Sequence, residues 1–158
     1  MKLLIQKNLK NQKKLDVTIE LILHATENFQ KVYDVFFELF GIEKDDISKH
    51  ELVGHFGNPI FMLHIQIKKI KAYELVKKLI SIMPKSELDL ILKDLENRID
   101  NSSLYLRFSK QNFLEKIIKL EEKDPIRMKI YTPVYVKKEI IDVYRKLLET
   151  YSNKFWFL

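Results

Sequence analysis

Four histidines, His24, His50, His55 and His64, are the side chains best suited to ligating a metal or moving a proton near neutral pH, and Glu27 and Glu51 lie near them in sequence. A metal centre needs such groups to converge, but neither H-x-x-x-H nor H-E-x-x-H occurs. With no cysteine, the chain has no thiolate nucleophile, disulfide or Cys-ligated metal. Its serines lack a G-x-S-x-G elbow, and three glycines cannot supply a Gly-rich phosphate loop. Asp94, Glu96 and Asp100 are acid/base carboxylates by type only, because they read as a solvated helix surface with no second carboxylate opposite. The expectation is no catalytic residue, no metal and no cofactor.

Charge points elsewhere. The net charge is +6, yet residues 1–14 hold five lysines and no acid, so the other 23 basic and 22 acidic residues leave only +1. A basic start of this kind gives salt-sensitive, sequence-blind attraction to polyanions, whereas the body must rely on a local patch. The opening apolar run Leu3-Leu4-Ile5 is too short for a signal peptide, and no stretch approaches the roughly 20 apolar residues of a membrane span. The expected setting is intracellular and cytoplasmic, with no membrane partner.

The elements that must position any patch follow from periodicity. Residues 14–24 alternate as a half-buried strand, with Leu15, Val17, Ile19, Leu21 and Leu23 inward. Helical spacing over residues 27–40 ends at Gly41, a natural C-cap. Residues 49–54 and 60–68 read as a hairpin whose two-residue turn is Gly57-Asn58. That register faces Leu52 with Leu63 in the core, Glu51 with His64 outside, and His50 with Ile65, placing His50 and His64 on opposite faces. Helices are expected over residues 72–83, from a Ser86 N-cap to about Asn101, and over residues 137–151. Strands are expected around Leu104–Phe108, 117–120 and Ile126–Ile130, with Asp124 in a turn. Hairpin-like strands separated by helices make an α+β fold, a mostly antiparallel sheet with helices packed on one face.

The outward positions of these strands collect Glu51, Val53, His55, Met62, His64, Gln66, Lys68, Tyr105, Arg107, Arg127, Lys129 and Tyr131. Aromatic rings among cations can stack bases and pair with phosphates, although any solvated antiparallel face also carries Lys, Arg and Tyr.

Four segments then coincide: "ILHATE" (22–27), "GHFGNPI" (54–60), "NRIDNSSLYLRFSKQ" (97–111) and "DPIRMKI" (124–130). In this order the chain resembles an archaeal family of RNA-binding proteins, also described as predicted exosome subunits, over residues 15–132. The resemblance implies RNA binding and a fold similar to the large-subunit ribosomal protein that binds 5S RNA. Carried over by position, Arg98, Arg107, Lys110 and Gln111 match its R-I-D and L-R-x-x-K-Q segments; Gly54, His55, Gly57, Asn58 and Pro59 match its hairpin motif. Ser109 stands where an acidic residue is expected.

The chain thus divides into a basic extension (1–14), an RNA-binding-like domain (15–132) and a C-terminal helix with the apolar tail Phe155-Trp156-Phe157-Leu158 (133–158), packed on the domain or at an interface. The leading expectation is a non-catalytic protein binding single-stranded or structured RNA, associated with an archaeal RNA-processing complex such as the exosome. Its contacts are Arg98, Tyr105, Arg107, Lys110, Gln111, Arg127, Lys129, Tyr131, His55 and Asn58. The alternatives are an interaction or dimerisation module of an RNA-processing assembly, with a homodimer as one form, and a small metal-dependent hydrolase.

Overall fold

A computed structural model describes residues 14–152; the lysines before residue 14 and the apolar tail at 155–158 lie outside the described residues, as does the side chain of His55. The expected alternation gives β1 (Asp16–His24), whose odd-numbered side chains are buried. Helix α1 (Phe29–Phe40) starts at Asn28, whose side chain accepts from the Lys31 amide, and stops at Gly41, where φ is +67°. That left-handed conformation lets the Gly41 amide donate to the Phe37 carbonyl and the Ile42 amide to the Phe36 carbonyl, satisfying helix-end acceptors. The hairpin follows as β2 (Ile47–Val53) and β3 (Pro59–Lys68).

Helices α2 (Lys69–Ile82), α3 (Lys85–Lys93) and α4 (Leu95–Arg98) then bury Leu75, Val76, Leu79, Ile80, Leu88, Ile91 and Leu95. The short β4 (Ile99–Asp100) turns back into β5 (Ser103–Ser109), followed by α5 (Lys110–Leu114), β6 (Pro125–Tyr131) and α6 (Lys137–Thr150). The described residues form a six-stranded sheet in the order β2-β3-β1-β6-β5-β4, with every pairing antiparallel. The fold is α+β. Val17, Ile19, Leu63, Ile65, Leu104, Leu106, Met128 and Ile130 join the helices in a single core, into which α6 sends Ile140, Tyr144 and Leu148.

Several expected details are corrected. The hairpin loop is not Gly57-Asn58 alone: Gly54 to Asn58 separate the strands, the Gly54 amide donates to the Asn58 carbonyl at 3.0 Å, and Phe56 and Gly57 both have positive φ. Leu52 therefore pairs with Ile60 instead of Leu63, a three-residue slip, and an odd slip exchanges the faces of β2. Leu52 is exposed and not core, and Glu51 leaves the open face to sit opposite Phe61. His50 joins the open face opposite Met62, on the same side as His64. The α3 helix begins at Lys85 after Pro84 with no side-chain cap, so Ser86 is not the N-cap. Residues 117–120 contribute only the single bridge from Leu120 to Phe108.

Candidate functional site

The face of the sheet away from the helices is built of transverse rows, each taking one residue from every strand it crosses. Gln66, Thr18, Lys129 and Tyr105 form one row; Ser48, His64, Glu20, Arg127 and Arg107 form the next. Lys68, Asp16 and Tyr131 flank the first row on one side. Beyond the second row, towards the β2–β3 loop, the face becomes mostly apolar, with Met62 and Ile22 beside His50, then Ile60 and Leu52 beside His24. Alternation makes these rows, because a strand that buries every second side chain must present the others together.

The centre of the polar part is a directly opposed pair of arginines. Arg107 on β5 faces Arg127 on β6, an arrangement that like charges disfavour. Two carboxylates offset it: Arg107 Nη1 donates to Glu122 Oε2 at 2.9 Å, and Arg127 Nη2 lies 3.7 Å from Glu20 Oε2. Glu20 Oε1 also lies 3.2 Å from His64 Nδ1. Both guanidinium groups remain about half exposed, with side-chain accessibilities of 51% and 49%. Lys129 Nζ sits 5.9 Å from the centre of the Tyr105 ring. A shallow depression of about 230 Å³ separates Thr18 and Glu20 from Tyr105, Arg107, Arg127 and Lys129. On the far side of Tyr105 and Arg107, a second depression of about 390 Å³ is lined by Arg98, Asp94, Asn97, Asp100 and Glu122.

Chemically, this is a recognition surface with exposed cations and a half-exposed ring. The carboxylates lower its potential, yet each pairs with a guanidinium group that phosphate oxygens can also engage. Tyr131 keeps its place on the face, but its hydroxyl is hydrogen-bonded to that of Tyr135 at 2.8 Å, which raises its pKa.

The structure thus brings Tyr105, Arg107, Arg127, Lys129 and Tyr131 together, with Arg98 in the adjoining depression. Arg98 is only 17% exposed and its Nε, 3.8 Å from Asp94, has no hydrogen-bond acceptor. Gln111 is exposed on α5, and Asn58 lies in the hairpin loop beyond the apolar rows. Lys110 does not join the face: its side chain is 12% exposed, and Nζ donates to the Ile22 carbonyl at 2.6 Å and contacts Asp124 at 2.8 Å and Glu27 at 3.4 Å. Ser109, in place of the expected acid, accepts from the Asn112 amide as the N-cap of α5. Glu122 escapes sequence reasoning, because a loop residue has no period to mark its direction.

Among the described residues, His24, Glu27 and Asp124 present ligand atoms within 4.8 Å of one another. The Lys110 ammonium already pairs with both of their carboxylates. No helix of the described residues is long and apolar enough to cross a membrane.

Against this geometry, comparison with known proteins is specific. Residues 16–132 match the model of a family described as RNA binding. An RNA-binding protein of Pyrococcus abyssi is 29% identical over 143 residues, covering 85% of this chain and 93% of that protein. An uncharacterized protein of Methanocaldococcus jannaschii is also 29% identical, over 80% of this chain and 93% of its own. The crystal structure of a DUF54 protein from Archaeoglobus fulgidus superimposes with a TM-score of 0.71 at 28% identity, covering 84% of this chain and 97% of that one.

Proposed function

The chain belongs to this RNA-binding family, and from that premise we propose that it binds RNA, without catalysing a reaction on it, through the polar rows of the open sheet face. The observation that carries the reading is the exposed Arg107–Arg127 pair flanked by Tyr105 and Lys129. The arginines hold phosphates by exchanging Glu122 and Glu20 for phosphate oxygens, and Tyr105 and Tyr131 stack unpaired bases. Lys129 and Arg98 add electrostatic hold. Lys110, occupied by Glu27 and Asp124, acts as a structural cation.

Fluorescence anisotropy across a salt series tests this, using a chain that starts at Leu15 so that the N-terminal lysines do not mask the face. Replacing Arg107→Ala and Arg127→Ala together is expected to weaken binding and to flatten the log–log salt slope by roughly 1.4, about 0.7 for each lost contact to a single strand. Unchanged affinity in a variant with an unchanged melting curve refutes the face assignment. RNA shortened on long incubation with divalent metal refutes the non-catalytic reading.

The motif resemblance extends the proposal to structured RNA, by its likeness to a 5S RNA-binding ribosomal protein, and to an archaeal RNA-processing assembly of the exosome type. The anisotropy series therefore includes both hairpin and single-stranded RNAs.

A further inference from the structure

The two edges of the sheet are unlike. At one, β4 has only two residues, a length that offers little to a further strand. At the other, β2 runs for seven residues, Ile47–Val53, without proline or glycine. The hydrogen bond from the Gly54 amide to the Asn58 carbonyl sets the alternation of this ladder. Ser48, His50 and Leu52 direct their backbone groups to β3, while Ile47, Lys49, Glu51 and Val53 direct theirs outward.

We propose that two copies of this chain pair antiparallel along β2, centred on His50, making one continuous sheet. In such a pairing, residues with outward backbone groups must meet each other, which leaves few registers. Centring on Lys49 sets that lysine against the partner's Lys49, and centring on Glu51 sets it against the partner's Glu51. Centring on His50 sets Lys49 against the partner's Glu51, Glu51 against the partner's Lys49, and Ile47 against the partner's Val53. Opposite charges directly across a strand pair stabilise it and like charges destabilise it, so the charge pattern of β2 selects the two-fold register. The Lys49 ammonium is already held on this side of the sheet, 4.5 Å from the ring centres of Phe29 and Phe61. Pairing also covers Val53, which is 88% exposed in the single chain.

The two-fold axis of an antiparallel strand pair is perpendicular to the sheet, so the open faces of both copies point the same way. Two Arg107–Arg127 rows then lie on one extended surface. The dimer itself does not depend on RNA binding.

Light scattering of the full chain over a concentration series is expected to give a dimer. Glu51→Lys opposes two lysines and Lys49→Glu opposes two glutamates, so each variant alone is expected to be monomeric. An equimolar mixture of the two returns a dimer, because every lysine again meets a glutamate. A monomeric parent chain, a dimer indifferent to both reversals, or a mixture that stays monomeric overturns the proposal. Covalent trapping gives a second measurement. Residues at the centre of the pairing have Cα atoms about 4.5 Å apart, within disulfide range. In this cysteine-free chain, His50→Cys is expected to form a disulfide-linked dimer under mild oxidation while Lys78→Cys, on α2, is not. Equal cross-linking of the two, or none, also overturns it.

Discussion

Tyr144 shows how one side chain joins the last helix to the sheet. It is fully buried, and its hydroxyl lies 2.7 Å from the Ser102 carbonyl and 2.8 Å from that of Ile130, so α6 is tied to β6 and to the turn before β5. A hydroxyl has one proton and donates to one of these carbonyls at a time. Tyr144→Phe keeps the ring but leaves the carbonyls without that donor, with an expected loss of about 1–2 kcal/mol by thermal or urea unfolding. Burial raises the Tyr144 pKa above its ordinary value of 10.0. Above that pH the unfolded chain releases a proton that the folded chain keeps, so this residue makes stability fall as pH rises. The alkaline side of a stability profile should therefore be flatter in Tyr144→Phe than in the parent.

At the scale of elements, the β2–β3 loop determines which side chains each face receives. A Cβ added at Gly54 meets the Asn58 carbonyl oxygen at 2.7 Å and the Ile60 side chain at 3.1 Å. Since the first contact is backbone, Gly54→Ala must open the turn or shift the register, and a loss of about 1 kcal/mol or more is expected in urea unfolding. Lys146→Ala, exposed on α6 away from the loop and from β2, serves as the control and should unfold with the parent.

Across the whole molecule, Lys110 connects segments far apart in sequence: the end of β1 through the Ile22 carbonyl, the loop after it through Glu27, and the turn before β6 through Asp124. Lys110→Met removes the cation and leaves two carboxylates near each other. A fully buried pair broken in this way costs about 3–5 kcal/mol, but Glu27 and Asp124 are a third and a half exposed, so about 1–2 kcal/mol is expected. High salt should recover part of it, which distinguishes charge repulsion from lost packing. RNA affinity is expected to stay unchanged in this variant, since Lys110 lies off the open face.

What the sequence determined by itself was whatever local periodicity and capping encode. The alternation of β1, the apolar stripe of α1 ending at Gly41, and the opposed faces of β5 and β6 are each written within about a dozen residues, and the open-face positions of Tyr105, Arg107, Arg127 and Lys129 follow from them. Tertiary structure decided the rest. The register of β2 depends on a loop that local turn preference shortens, because Gly57-Asn58 suits a tight turn while pairing with β3 begins only at Val53 and Pro59. Three residues of slip moved His50 onto the open face and took Glu51 off it. The opposition of Arg107 and Arg127, the shielding of each by Glu122 and Glu20, and the enclosure of Lys110 join residues distant along the chain. Such contacts form only when strands pair across intervening helices and loops, and no short-range pattern specifies them.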